Sequence, residues 1–180
     1  LISFIIFIIT FFIINKISKN FLEITQREKD NRKSYVEKVY GKEQVKDYLK
    51  VIEEQTSALK YETFIEFKEQ PRSGKFVSVS QKGNRCNKND IPNCDGPLGG
   101  KNEIWIFGGS TTFGYGVKNN ETIPAYLENF YEGKKKVINF GSGYYYSNQE
   151  RILFQKLLQN YESPYAAVFI DGVGDKAFCA

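Results

Sequence analysis

The chain has 180 residues, 41% hydrophobic and 16% aromatic, enough for one folded domain with an apolar core. Its net charge is +4 with lysines scattered among glutamates, so no basic face argues for a nucleic-acid partner. With no histidine and three cysteines it excludes a histidine base and a histidine metal site within these residues, and leaves too few ligands for zinc.

The chain starts at Leu1 and stops at Ala180 just after an apolar run, which reads as a piece of a longer protein. Residues 1–14, "LISFIIFIITFFII", are apolar apart from one serine and one threonine. A membrane span takes roughly 20 apolar residues, and a signal-peptide core roughly 7–15. Asn15, Lys16, Ile17 and Ser18 follow instead of a small-residue cleavage site, so the expectation is an uncleaved, single-pass transmembrane anchor over residues 1–15. The domain is expected on the extracytoplasmic side. Lys16 and Lys19 mildly oppose that orientation.

Residues 16–60 read as a charged amphipathic helical linker. Val36, Val39, Tyr40, Val45, Tyr48, Leu49 and Ile52 recur at three- and four-residue steps, weakened at Gly41. Residues 61–102 form a strand and loop segment. "YETFIEF" and "KFVSVS" alternate like strands around a turn marked by Pro71 and Gly74. Cys86 and Cys94 lie in the polar loop "NRCNKNDIPNCDG", and either close a short disulfide loop or remain thiols. Cys179 is left over.

From residue 103 the texture changes. "EIWIFGG" is an apolar run ending in glycine, and "IPAYLENFYE" follows with Pro124 suited to a first helical turn. "KVINFG" is a second strand. "SNQERILFQKLLQNY" is a helix, with Ser147 and Glu150 at capping-box spacing and Ile152, Leu153, Leu157, Leu158 and Tyr161 as its buried stripe. "AAVFIDG", reached through Ser163 and Pro164, is a third strand. Strand–helix–strand–helix–strand at this spacing predicts an α/β fold: a parallel sheet with crossover helices in three layers, α/β/α. Ligands bind such sheets at the carboxyl ends of the strands, where Gly108, Gly141 and Gly172 place three irregular loops.

Ser110 follows the first of these strands through Gly108 and Gly109, which let the backbone turn without a Cβ clash. Its hydroxyl is expected at the lip of the site, with its own N–H facing a developing oxyanion and a helix dipole in support. A Gly-Ser-Thr turn that merely caps a helix is the plain alternative.

"IWIFGGSTTFGYG", "VINFGSGYYYSNQE" and "VFIDGVGD", in this order and each at a strand end, resemble the first three blocks of the SGNH (GDSL-like) hydrolase family. The resemblance covers roughly residues 103–175. It implies a flavodoxin-like sheet in residues 103–180, a serine ester hydrolase in the intact parent, and no cofactor and no metal. Ser110 matches the nucleophile, with Gly109 where the family name has Asp. Gly143, or alternatively Gly141, matches the glycine whose N–H enters the oxyanion hole. The third block is usually Gly-x-Asn-Asp; here it reads Gly172-Val173-Gly174-Asp175, so Gly174 stands at the position of the Asn donor and its side chain is missing. Losing one such donor costs about 10²–10³ in rate. The family's Asp-x-x-His block would lie beyond Ala180, so these residues alone are expected to be inactive.

Substrates implied by the resemblance are lipid esters or O-acyl groups on sugars, and an anchored form suits envelope glycans. Tyr144 and Tyr145 are candidates to line a substrate pocket, with Tyr146 beside them, and Asp171 either orients a partner or holds loop N–H groups. Two rivals remain. One is a non-catalytic relative that binds a glycan or an assembly partner, favoured by Gly174. The other is a phosphate binder, opposed because "GGSTTFGYGVK" lacks the phosphate-loop spacing and "GSGYYY" lacks the third glycine of a dinucleotide fingerprint.

Overall fold

In the computed structural model, which describes residues 2–56, 59–88, 94 and 96–171, the apolar runs of the second half become a parallel sheet. The chain divides into two units, residues 1–49 and 50–180.

The first unit is mostly one helix, α1 (Ile2–Tyr40). It stops at Gly41, whose φ of 84° lies in the left-handed region that glycine enters without a Cβ penalty. The helical pattern read over 16–60 as weakened at Gly41 is interrupted at that residue. The Tyr40 and Tyr48 rings stack with centroids 3.7 Å apart. The anchor expected over 1–15 is not met. Among the described residues no helix is long and apolar enough to cross a membrane. From Asn15 onward α1 runs through charged sequence, which does not extend the apolar stretch that a span requires.

After α2 (Val45–Gln55) come two small hairpins: β1 (Lys60–Glu62) with β2 (Glu66–Lys68), and β3 (Arg72–Ser73) with β4 (Ser78–Val79), each antiparallel. "YETFIEF" was expected as one strand. It folds back on itself, because Phe64 and Glu66 adopt positive φ and Phe67 N–H bonds Ile65 O at 2.8 Å. Ile65 turns inward while Phe64 stays in solvent. Cys86 and Cys94 are joined in a disulfide, Cα atoms 5.2 Å apart.

The parallel sheet has the order β6 (Lys136–Asn139), β5 (Glu103–Gly108), β7 (Ala166–Ile170), with Ile104 opposite Val137 and Ala166. Every residue of β5 is buried, as a central strand covered on both faces must be. Alternation sends Trp105 and Phe107 to one face, with Ile138, Phe140 and, from α5 (Ser147–Leu158), Leu153, Phe154 and Leu157. Ile104 and Ile106 go to the other, under Leu127 of α4 (Ile123–Phe130) and Tyr131. Each such buried side chain contributes about 1.5–3 kcal/mol. The layers are helix, sheet, helix, as the spacing predicts. Thr122 caps α4, its hydroxyl accepting Ala125 N–H at 3.2 Å. The cap of α5 lies one residue earlier than expected: Ser147 is already helical, and the Gln149 side chain accepts Tyr146 N–H at 3.3 Å. Outside β6, Arg85 bridges Val79 to Asn139 through its backbone, which ties the second hairpin to the sheet.

Candidate active site

Ser110 opens α3 (Ser110–Phe113), directly after the carboxyl end of the central strand. The turn is tight because the chain must reverse within Gly108 and Gly109. A Cβ on Gly108 would collide with the Thr112 side chain and lie 3.0 Å from Ile170 O. Ser110 O accepts Gly114 N–H at 3.0 Å and Tyr115 N–H at 3.1 Å, and Gly114 closes the helix at φ 88°. Thr112 and Phe113 are buried, so Ser110 and Thr111 are left facing solvent. The Ser110 hydroxyl makes no hydrogen bond among the described residues. The helix dipole expected behind it is not supplied, since α3 is only four residues long.

Three buried polar side chains hold this turn, and none was singled out in the sequence. Helix ends leave carbonyls unsatisfied. Asn139 donates to Thr112 O at 3.0 Å. Gln55 donates to Gly114 O at 2.9 Å and accepts Gly116 N–H at 2.7 Å. Arg85, 1% exposed, donates to Asn119 Oδ1 (3.0 Å), Gly114 O (3.2 Å), Phe113 O (3.3 Å) and Val117 O (2.9 Å). Burial, and after it the nearby Arg72, pushes the Arg85 pKa down to about 9, which leaves it charged at neutral pH. The only signal in the sequence was a polar residue inside an apolar run, as at Asn139 in "KVINF".

The loop after β6 docks on the same turn, with Ser142 N–H bonding Gly108 O at 3.1 Å. A Cβ on Gly109 would come 3.0 Å from Tyr145 O. Ser110 and the 141–145 loop are thus brought together at one sheet edge. Gly141 spends its N–H on Asn139 Oδ1 at 2.9 Å. Gly143 is buried, and its N–H faces Glu69 Oε1 at 3.5 Å. Glu69 is 2% exposed and also takes the Tyr115 hydroxyl at 3.0 Å and Arg72 Nη2 at 3.0 Å. Burial first, and then the Glu69 charge, raises the Tyr115 hydroxyl well above its ordinary range, so it remains a donor. Nothing around Glu69 in the sequence signals a carboxylate at this site.

Of the two tyrosines expected to line a substrate pocket, Tyr144 is 70% exposed, at φ 66°. Tyr145 is buried, and its hydroxyl donates to Phe67 O at 2.7 Å. Asp171 is exposed just after β7. Gly172 and Gly174 lie outside the described residues. Among the described residues no group of three His, Cys, Asp or Glu side chains is placed to hold a metal.

The geometry therefore offers an exposed hydroxyl on a rigid turn, a neighbouring glycine N–H held by a carboxylate, and no histidine anywhere in the chain to activate the hydroxyl. No family model and no curated protein matches the chain. Among solved structures it is similar to AlinE4, an SGNH-hydrolase family esterase, at 25% identity and a TM-score of 0.38. Two mutants of that esterase match at the same identity, with TM-scores of 0.38 and 0.37. The matched part spans 44% of this chain and 44% of the esterase.

Proposed function

We propose that the protein carrying this chain is a serine ester hydrolase of the SGNH kind and that Ser110 is its nucleophile. The observation that carries the reading is the Ser110 hydroxyl, exposed and without a partner among the described residues, at the carboxyl end of the central strand. Buried side chains fix the turn beneath it, so its position costs little reorganisation. Ser110 Oγ attacks the ester carbonyl carbon and its proton passes to a histidine from outside these residues. The Ser110 and Gly143 N–H groups take the tetrahedral oxyanion, with Gly174 at the position of a third donor. Gly143 can serve only when Glu69 withdraws from it. The alcohol leaves with the proton, and water then releases the acyl group from Ser110. The exposure of Tyr144 beside Gly143 supports a role for it in touching the substrate, a lipid ester or an O-acylated sugar. The Cys86–Cys94 disulfide supports an oxidising, extracytoplasmic compartment.

One observation favours a second reading, a non-catalytic binding domain: the Gly143 N–H already faces Glu69. Hydrolysis of p-nitrophenyl acetate by the whole translated protein separates the two. The hydrolase reading expects turnover that falls about 10³-fold or more in Ser110→Ala. No turnover, or equal turnover in the variant, leaves the binding reading.

A further inference from the structure

A cavity of about 500 Å³ without Ser110 in its wall is bounded by the β1–β2 hairpin, the 81–83 turn, the 140–145 loop including Tyr145, and one side of α5. That volume is in the range that takes small organic ligands. Its apolar wall is built from Phe140, Leu153 and Leu157.

The charges around it do not cancel. Glu62 pairs with Lys156, and Glu69 pairs with Arg72, so both wall carboxylates are neutralised. Lys68 makes no ion pair or hydrogen bond among the described residues. Lys82 donates to the neutral carbonyl of Pro97 at 3.1 Å and lies over the Tyr161 ring, 5.1 Å from its centroid. Two positive charges are left over. The Glu62 carboxyl reports the same field: the hydrogen bond from Lys156 holds it below the usual range, against its partial burial, with Lys68 and Lys60 adding to the effect. One wall group is also left wanting a partner. Ser142 is 4% exposed and its buried hydroxyl has none among the described residues. A buried unsatisfied hydroxyl costs roughly 1–3 kcal/mol, which a ligand atom can recover.

We propose that this cavity is a binding site for an amphipathic carboxylate, its apolar body against Phe140, Leu153 and Leu157 and its charge met by Lys68 and Lys82. An apolar neutral molecule would leave both positive charges uncompensated and the Ser142 hydroxyl unmet. A cation would be repelled. The site stands independently of the hydrolase reading, because Ser110 is not in its wall.

The test is calorimetric titration of the full chain with octanoate, and with octanol and octylammonium at equal chain length. Saturable one-site binding of octanoate is expected, about tenfold or more tighter than for either control. Lys68→Glu and Lys82→Glu each weaken it about tenfold, and Leu157→Trp, which fills the cavity, abolishes it while the circular dichroism spectrum stays native. Ser110→Trp, which blocks the lip of the candidate active site, leaves octanoate binding unchanged. The proposal is overturned by no saturable binding up to millimolar octanoate, by equal binding of octylammonium, or by indifference to both lysine reversals. Loss of binding in Ser110→Trp also overturns it, since the ligand then belongs to the Ser110 site.

Discussion

Arg85 is the residue on which the Ser110 turn most depends. Its guanidinium is a planar fork with five donors, and four acceptors around it come from Asn119 and from the backbone after Ser110. It also lies over the Phe113 ring, 4.8 Å from the centroid. Lysine keeps the charge but presents its donors from a single point, so it cannot reach Asn119 and Val117 together. Arg85→Lys should therefore cost about 2–4 kcal/mol, read as a lower urea midpoint at an unchanged slope. A cost under about 0.5 kcal/mol would mean that the buried fork does not hold the turn. Little of this was legible. Arg85 sits in a polar stretch between Asn84 and Cys86, and nothing local distinguishes it from the surface lysines around it. A long-range role, here 28–34 residues away in sequence, leaves no periodic mark.

At the scale of elements, α3 and the loop after β6 meet backbone to backbone, and Gly141 is what permits it. A Cβ there would lie 2.6 Å from Thr112 C and 2.8 Å from Phe113 Cα, with no side chain able to swing aside. At Gly143 the same atom would meet the Tyr115 hydroxyl at 2.9 Å, the far end of a movable side chain. Gly141→Ala should thus cost about 1–3 kcal/mol and Gly143→Ala distinctly less. Parallel urea melts of the two variants check the order, and equal losses would sink the packing argument. The sheet elements were legible because strands buried on both faces read as mostly apolar runs: "EIWIF" and "KVINF" have no other comfortable place. The first hairpin was not, since its strands are three residues long and "YETFIEF" alternates as one strand would. The cap of α5 slipped by a residue because Gln149 and Glu150 both suit the role and only the packing chooses.

For the larger unit as a whole, two tyrosine hydroxyls fasten the hairpin segment to the sheet edge that carries the site. Tyr145 reaches Phe67 O, and Tyr115 reaches Glu69. The aromatic cluster was visible in the sequence, but nothing in it showed that Tyr145, which lines a cavity, also staples two segments. Burial is the main cause that raises both hydroxyls well above the ordinary value of 10.0, with Glu69 adding its charge at Tyr115 and Glu62 leading the smaller contributions at Tyr145. The unfolded chain titrates near 10, so it gives up these protons first. Stability from the two bonds is therefore fully present below pH 10 and drains away as pH rises above it, because only the folded state holds the protons there. The double variant Tyr115→Phe with Tyr145→Phe lacks both bonds and both protons. At pH 8 it should be weaker than the parent by about 1–3 kcal/mol. Its decline between pH 9 and pH 11 should be shallower, so that the gap narrows. Lysines titrating in the same window act on both proteins alike and cancel in the difference. A gap that stays constant to pH 11 would show that the hydroxyls stabilise the fold no better as donors than as phenolates, and the two staples would lose their physical basis.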